Sequence, residues 1–217
     1  DALVATEGQR GFRVAPIAVE ELADITNLRV HIETEALRHS MRQGGAAWRE
    51  ALAQAFAALC PPAEPMPGRP QPAGQPLRVG FLSPDLCDHP VGMFLLPVLG
   101  ALDRQRIQPV LYSSGGRDDD TRQALRQQAA WLDVSALDAA SLLATLRSHQ
   151  LDVLVDLSGH TAGHRLAVLA RRAAPLQVSW LGYFATTGVP AIDYVLMDRW
   201  HVPAGGERQF TEQVAYL

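Results

Sequence analysis

The sequence predicts an α/β fold, a Rossmann-like doubly wound parallel sheet preceded by a small, mainly helical segment. Three observations predict it. From Leu77 onward, short apolar runs alternate with amphipathic stretches. The runs themselves, such as Leu77–Ser83 (LRVGFLS) and Asp152–Leu157 (DVLVDL), lack the in–out alternation of a half-solvated sheet, so both of their faces are expected to be covered. Apolar residues make up 47% of the 217, enough for a sizeable core.

The elements follow in order. Gly8 and Gly11 flank a basic turn, and Phe12, Val14 and Ile17 read as a short strand. Leu22, Ile25, Leu28 and Ile32 recur at helical spacing, with Glu20, Glu21 and Asp24 near the start, where the helix dipole favours acids. Gly44-Gly45 stops that helix, and a second follows over Ala46–Leu59. Cys60–Pro76 holds seven of the fifteen prolines and reads as an extended linker, because proline fixes φ and removes a donor. The organisation expected is therefore residues 1–59, a linker over 60–76, and a domain over 77–217. Within that domain, strands are expected at Leu77–Ser83, Gln108–Ser114, Trp131–Ser135, Asp152–Leu157, Leu176–Tyr183 and Tyr194–Met197. Helices are expected at Val91–Asp103, Asp118–Ala130, Asp138–His149 and His164–Ala173.

Composition narrows the function. A net charge of −4 gives no electrostatic reason for a nucleic-acid partner. Cys60 and Cys87 follow no metal or disulfide spacing, so a reducing compartment is the default. The apolar run Val91–Leu102 is too short to span a bilayer, and Asp1–Gly11 does not resemble a signal peptide. A cytoplasmic protein with no membrane partner is the expectation. The abrupt ends of the chain suggest a piece of something longer.

In an open parallel sheet, ligands bind beyond the carboxyl ends of the strands. Three loops there are rich in polar and glycine residues: Ser83–Gly92 (SPDLCDHPVG), Ser158–His164 (SGHTAGH) and Gly182–Pro190 (GYFATTGVP). All three are expected on one rim, which brings His89, His160, Thr161, Tyr183, Thr186 and Thr187 within reach of one ligand. The first loop lacks the G-x-G-x-x-G dinucleotide fingerprint, so no NAD or FAD cofactor is expected. His89-Pro90 suits a helix entry, and a histidine at the mouth of the cleft suits general-base or proton-relay work. Simpler roles fit the same residues. His89 also fits a helix cap, His160 a loop histidine, and Thr186-Thr187-Gly188 a turn held by hydroxyl–backbone bonds. Asp85 and Asp156 fit roles in ordering their own loops, His164 a helix entry, and Trp131 and Trp180 the core. His31, His39, His149 and His201 are assigned nothing.

Three motifs together, VGFLSPDLCDHPVG (Val79–Gly92), DLSGHTAGHRL (Asp156–Leu166) and RAAPLQVSWLGYFATTGVPAIDY (Arg172–Tyr194), resemble the SPINDLY and O-GlcNAc transferase-like glycosyltransferases. The resemblance covers about Pro76–Leu217, and Gly159-His160-Thr161 is the more SPINDLY-like of its features. It implies one half of a GT-B architecture, cut before a second Rossmann-like domain that supplies most nucleotide contacts. It implies inverting transfer of GlcNAc or fucose, from UDP-GlcNAc or GDP-fucose as substrate, to serine or threonine hydroxyls of an acceptor protein. No metal is implied. His89 matches the family's active-site histidine, for which the role of base is one assignment. Pro90, Gly159, His160, Thr161, Tyr183, Thr186, Thr187 and Gly188 match the substrate-binding loops. Phe184-Ala185 stands where the family has proline-glycine, which puts sugar packing at that loop in question. Alone, the segment is expected to be inactive.

Residues 1–58 resemble a fragment of GntR/FadR-type transcription regulators, with GQRGFRVAPI as the end of a wing. The helix that reads DNA is expected upstream, so no specific DNA binding is expected, and Arg10 fits a surface arginine better than a phosphate contact. A regulator fragment and a non-functional fusion are the alternatives to the transferase reading.

Overall fold

A computed structural model of the chain describes residues 4–6, 12–14, 19–63, 65–70 and 74–217. The expectations at Gly8, Arg10, Gly11 and Ile17, and for the side chains of Glu20, Glu21 and Leu22, lie outside the described residues. The chain divides into two compact units, Asp1–Ala55 and Phe56–Leu217.

In the first unit, β1 (Val4–Thr6) pairs antiparallel with β2 (Phe12–Val14). Only the second of these strands is legible in the sequence. Helix α1 runs over Val19–Gln43 and leaves Ile25, Leu28 and Ile32 exposed. Gly44 then lies buried beneath the Trp48 ring, where a β-carbon would collide with the indole. Helix α2 (Ala46–Leu59) begins in this unit.

The second unit is the α/β domain. Its strands are β3 (Leu77–Ser83), β4 (Ile107–Ser113), β5 (Ala130–Asp133), β6 (Val153–Asp156), β7 (Leu176–Trp180), β8 (Tyr194–Met197) and β9 (Gln213–Tyr216). They form one sheet in the order β5-β4-β3-β6-β7-β8-β9, and every neighbouring pair is parallel. The order reverses at β3, which lies between β4 and β6. This is the switch point at which a doubly wound sheet opens a crevice.

Alternate residues feed two cores. Leu82, Tyr112 and Leu154 pack on one face with Leu142 and Leu146 of α5 (Ala139–Ser148) and Leu166 and Leu169 of α6 (Leu166–Leu169). Phe81, Leu111 and Val155 pack on the other with Leu95 and Leu99 of α3 (Pro90–Ala101) and Leu125 of α4 (Asp120–Gln128). Burial on both faces explains the unbroken apolar strands.

Two elements of this unit depart most from expectation. The helix expected over His164–Ala173 is one turn, Leu166–Leu169, and beyond it Arg172 takes a positive φ of 55° and pairs with Asp193. Both guanidinium nitrogens bond that carboxylate, at 3.0 and 2.8 Å. The seventh strand, β9, is too short and polar at its start to stand out. The proline-rich segment has no regular structure among its described residues and lies along the second unit. Cys60 and Ala63 pack against the core, and Arg69 pairs with Asp152 at 3.0 Å.

A single polar side chain staples the centre of β7. Gln177 is fully buried, accepts from Ala173 N at 2.8 Å, and donates to Leu169 O and Ala191 O at 2.8 and 2.7 Å. Gln177→Leu fills similar space but strands three buried backbone groups. It is expected to lower stability by about 3 kcal/mol in urea denaturation, despite the apolar surroundings.

Candidate active site at the carboxyl rim

The loops that leave β3, β4 and β6 meet at the switch point. Ser158 Oγ donates to Ser83 Oγ at 3.3 Å, joining the first and middle motifs. Ser114 N donates to Ser83 O at 3.0 Å, and Asp88 N donates to Asp119 at the head of α4 at 2.8 Å.

His89 is the N-cap of α3, and Pro90 is the first helical residue. Its Nδ1 accepts from Val91 N at 3.3 Å. A backbone N–H only donates, so the neutral ring carries its proton on Nε2. His89 therefore presents a donor to solvent while it caps.

The middle loop is organised by Asp156. This carboxylate is 1% exposed and accepts from Gly159 N at 2.7 Å and, more weakly, from Ser158 N at 3.4 Å. Burial pushes it up to about 6, and the hydrogen bonds that favour its charge only partly offset that. Thr161 turns its hydroxyl onto Ser158 O at 2.8 Å, so it closes the same loop.

Gly159 has φ +53°, and a β-carbon there would enter the Tyr183 ring. Glycine at this position thus lets the tyrosine of the third motif lie against the second. His160 adds two links. Its ring sits edge-on to Tyr183 at 5.4 Å, and its Nε2 donates to Thr187 O at 2.8 Å.

The third loop leaves β7 through a γ-turn. Leu181 takes φ 72°, and Gly182 N donates to Trp180 O at 2.9 Å. A left-handed leucine is strained. A β-carbon on Gly182 would strike Leu157 O, so the turn passes directly over the end of β6. Farther along, Glu212 captures the loop. It is 4% exposed and accepts from Thr187 N at 2.7 Å, from the Thr187 hydroxyl, and from Thr186 Oγ1 at 2.7 Å. Burial pulls its carboxyl upward, but these bonds outweigh it and hold the group below its ordinary value. Gly188 takes φ +67° in open space.

The structure thus joins Gly159, His160, Tyr183 and Thr187 directly. His89 and Pro90 lie on the same rim, exposed and without a side-chain bond to that group among the described residues. Both threonine hydroxyls face Glu212. Sequence reasoning missed Glu212 because its partners lie 25 residues away and no local pattern marks it. It also assigned no role to His201, whose ring stacks on Phe184 at 4.8 Å. That stack occupies the departure from the expected proline-glycine.

The model of glycosyl transferase family 41 matches residues 30–217. The chain belongs to this family. The match begins within α1, so it overlaps much of the segment that resembles a regulator fragment. The probable UDP-N-acetylglucosamine–peptide N-acetylglucosaminyltransferase SPINDLY of Oryza sativa subsp. japonica is 33% identical over 153 residues, covering 68% of this chain and 16% of that protein. The UDP-N-acetylglucosamine–peptide N-acetylglucosaminyltransferase of Caenorhabditis elegans is 30% identical over 147 residues, covering 66% of this chain and 13% of that protein. A solved mutant of the Thermobaculum terrenum O-GlcNAc transferase superposes with a TM-score of 0.71 at 38% identity, covering 76% of this chain and 32% of that one. The chain therefore spans a small part of the length of its curated relatives. No described helix is long and apolar enough to cross a membrane.

Asp156 yields a pH test. Its folded value of about 6 lies above the ordinary 3.8, so the native state holds a proton that the unfolded chain releases between those values. Stability attributable to this group falls as pH rises through that window. At about 1.4 kcal/mol per pH unit the loss reaches roughly 3 kcal/mol. The stability of Asp156→Asn relative to the unsubstituted chain is expected to improve by that amount between pH 4 and pH 7, in paired urea melts. A flat difference would mean that the carboxyl titrates normally.

Proposed function

We propose that this chain supplies the acceptor-side rim of an inverting protein O-glycosyltransferase, which transfers a sugar from a nucleotide donor to a serine or threonine hydroxyl. The observation that carries the reading is the joining of the second and third family motifs at the switch-point rim, through His160 to Thr187 and Gly159 to Tyr183. The donor assigned is UDP-N-acetylglucosamine, after the names of the relatives. GDP-fucose is the competing donor that the SPINDLY-like middle motif raises.

Inversion needs one in-line displacement at the anomeric carbon, an acceptor for the hydroxyl proton, and donors for charge on the departing diphosphate. His89, with its proton on Nε2, is assigned as a donor at the mouth of the cleft. Pro90 fixes the helix entry behind it. Tyr183, Gly188 and the His160–Thr161 loop are assigned to line the sugar and acceptor region. A second Rossmann-like half is assigned most of the nucleotide contacts, so this chain by itself is expected to bind donor weakly and to turn over little.

Isothermal titration with UDP-N-acetylglucosamine and GDP-fucose tests the division of labour. Micromolar binding by this chain alone would place the donor site in this half. With the second half of the Thermobaculum terrenum enzyme supplied in trans, His89→Ala is expected to lower transfer about 100-fold, the order of one lost charge-stabilising donor. Unchanged transfer would leave His89 with capping alone.

A further inference from the structure

Two of the exposed histidines of the rim, His89 and His160, take the same neutral tautomer, but their hydrogen bonds leave opposite ring nitrogens free. His89 gives its Nδ1 lone pair to Val91 N. His160 bonds through its other ring nitrogen: a carbonyl oxygen only accepts, so the 2.8 Å contact from His160 Nε2 to Thr187 O places a proton on Nε2. In the neutral ring Nδ1 is then an open lone pair, and it has no hydrogen-bond partner among the described residues. The neighbouring His164 does not compete for this role, because its own Nδ1 accepts from Leu166 N at 3.4 Å.

What holds Thr187 O in place is Glu212. Its carboxylate takes the Thr187 amide and hydroxyl on Oε1 and the Thr186 hydroxyl on Oε2. Thr187 is 4% exposed and Glu212 also 4% exposed, so water does not readily replace these bonds. The carbonyl of Thr187 belongs to the residue whose N–H and side chain are both clamped, so its direction is fixed from one side by the carboxylate.

We propose that Glu212 is a positioning residue: through Thr187 it locks His160 as the Nε2–H tautomer and leaves Nδ1 as the hydrogen-bond acceptor of the rim. The use of that acceptor rests on the glycosyltransferase reading, in which it receives the hydroxyl of the serine or threonine acceptor. His89 does not fill that role while it caps α3. The lock itself is independent of any sugar chemistry.

Nitrogen-15 spectra of the histidine rings in this chain test it without substrate. His160→Gln identifies the resonances. The expected signature is a protonated Nε2, an unprotonated Nδ1, and an observable Nε2–H proton with cross-peaks to Thr187 and Gly188. In Glu212→Ala that proton is expected to exchange with water at least tenfold faster. In Glu212→Gln, whose amide oxygen still accepts from Thr187 N, it is expected to stay observable. Methyl signals of Leu146 and Leu154 report whether the domain remains folded. If the alanine variant unfolds, Thr187→Val removes the hydroxyl's bond to Glu212 and the weaker one it accepts from Val189 N while keeping the Thr187 amide bond, and faster exchange is again expected. A proton on Nδ1 in the unsubstituted chain, or an unchanged exchange rate in a folded Glu212→Ala or Thr187→Val, overturns the proposal. Failure of sugar transfer with the lock intact would instead count against the function proposed above.

Discussion

The site depends on β3 being paired on both sides, with β4 along one edge and β6 along the other. Parallel pairing carries every loop that leaves a strand to the same end of the sheet. The reversal of order at β3 then leaves a gap between the loops after β3 and β6, because their crossover helices lie on opposite faces. Ser83 and Ser158 touch across that gap. Without this register the three motifs would remain separate stretches of chain.

Two buried carboxylates then shape what the sheet gathers. Asp156 holds the amides of the middle loop, and Glu212 holds the third loop by its threonines. They respond to burial differently. Glu212 receives several hydrogen bonds that favour its charge and sits low. Asp156 receives fewer and is pushed up to about 6. In both cases the carboxylate is buried and bonded to loop groups.

Much of this was legible in the sequence. The unbroken apolar runs reported a sheet covered on both faces, and His89-Pro90 reported a helix entry. The boundaries of Tyr194–Met197 were readable because Asp193 and Asp198 bracket an apolar run. What failed to show was long-range. Gln177 looks like an error in a buried strand until its three backbone partners are placed around it. Glu212 looks like an ordinary surface acid ahead of a strand until the third loop folds onto it. The strand expected to continue to Tyr183 stops at Trp180, because Leu181 and Gly182 turn sharply over the end of β6. No propensity marks that turn; the close approach to Leu157 demands it.

The contact between Gly159 and Tyr183 is the most direct test that the motif loops meet. In a proton NMR spectrum of the free chain, we predict strong cross-peaks between the Gly159 Hα protons and the Tyr183 ring. Their absence, in a spectrum where β3 and β6 still show their mutual contacts, would mean that the sheet forms but the rim does not, and would contradict the assembled site.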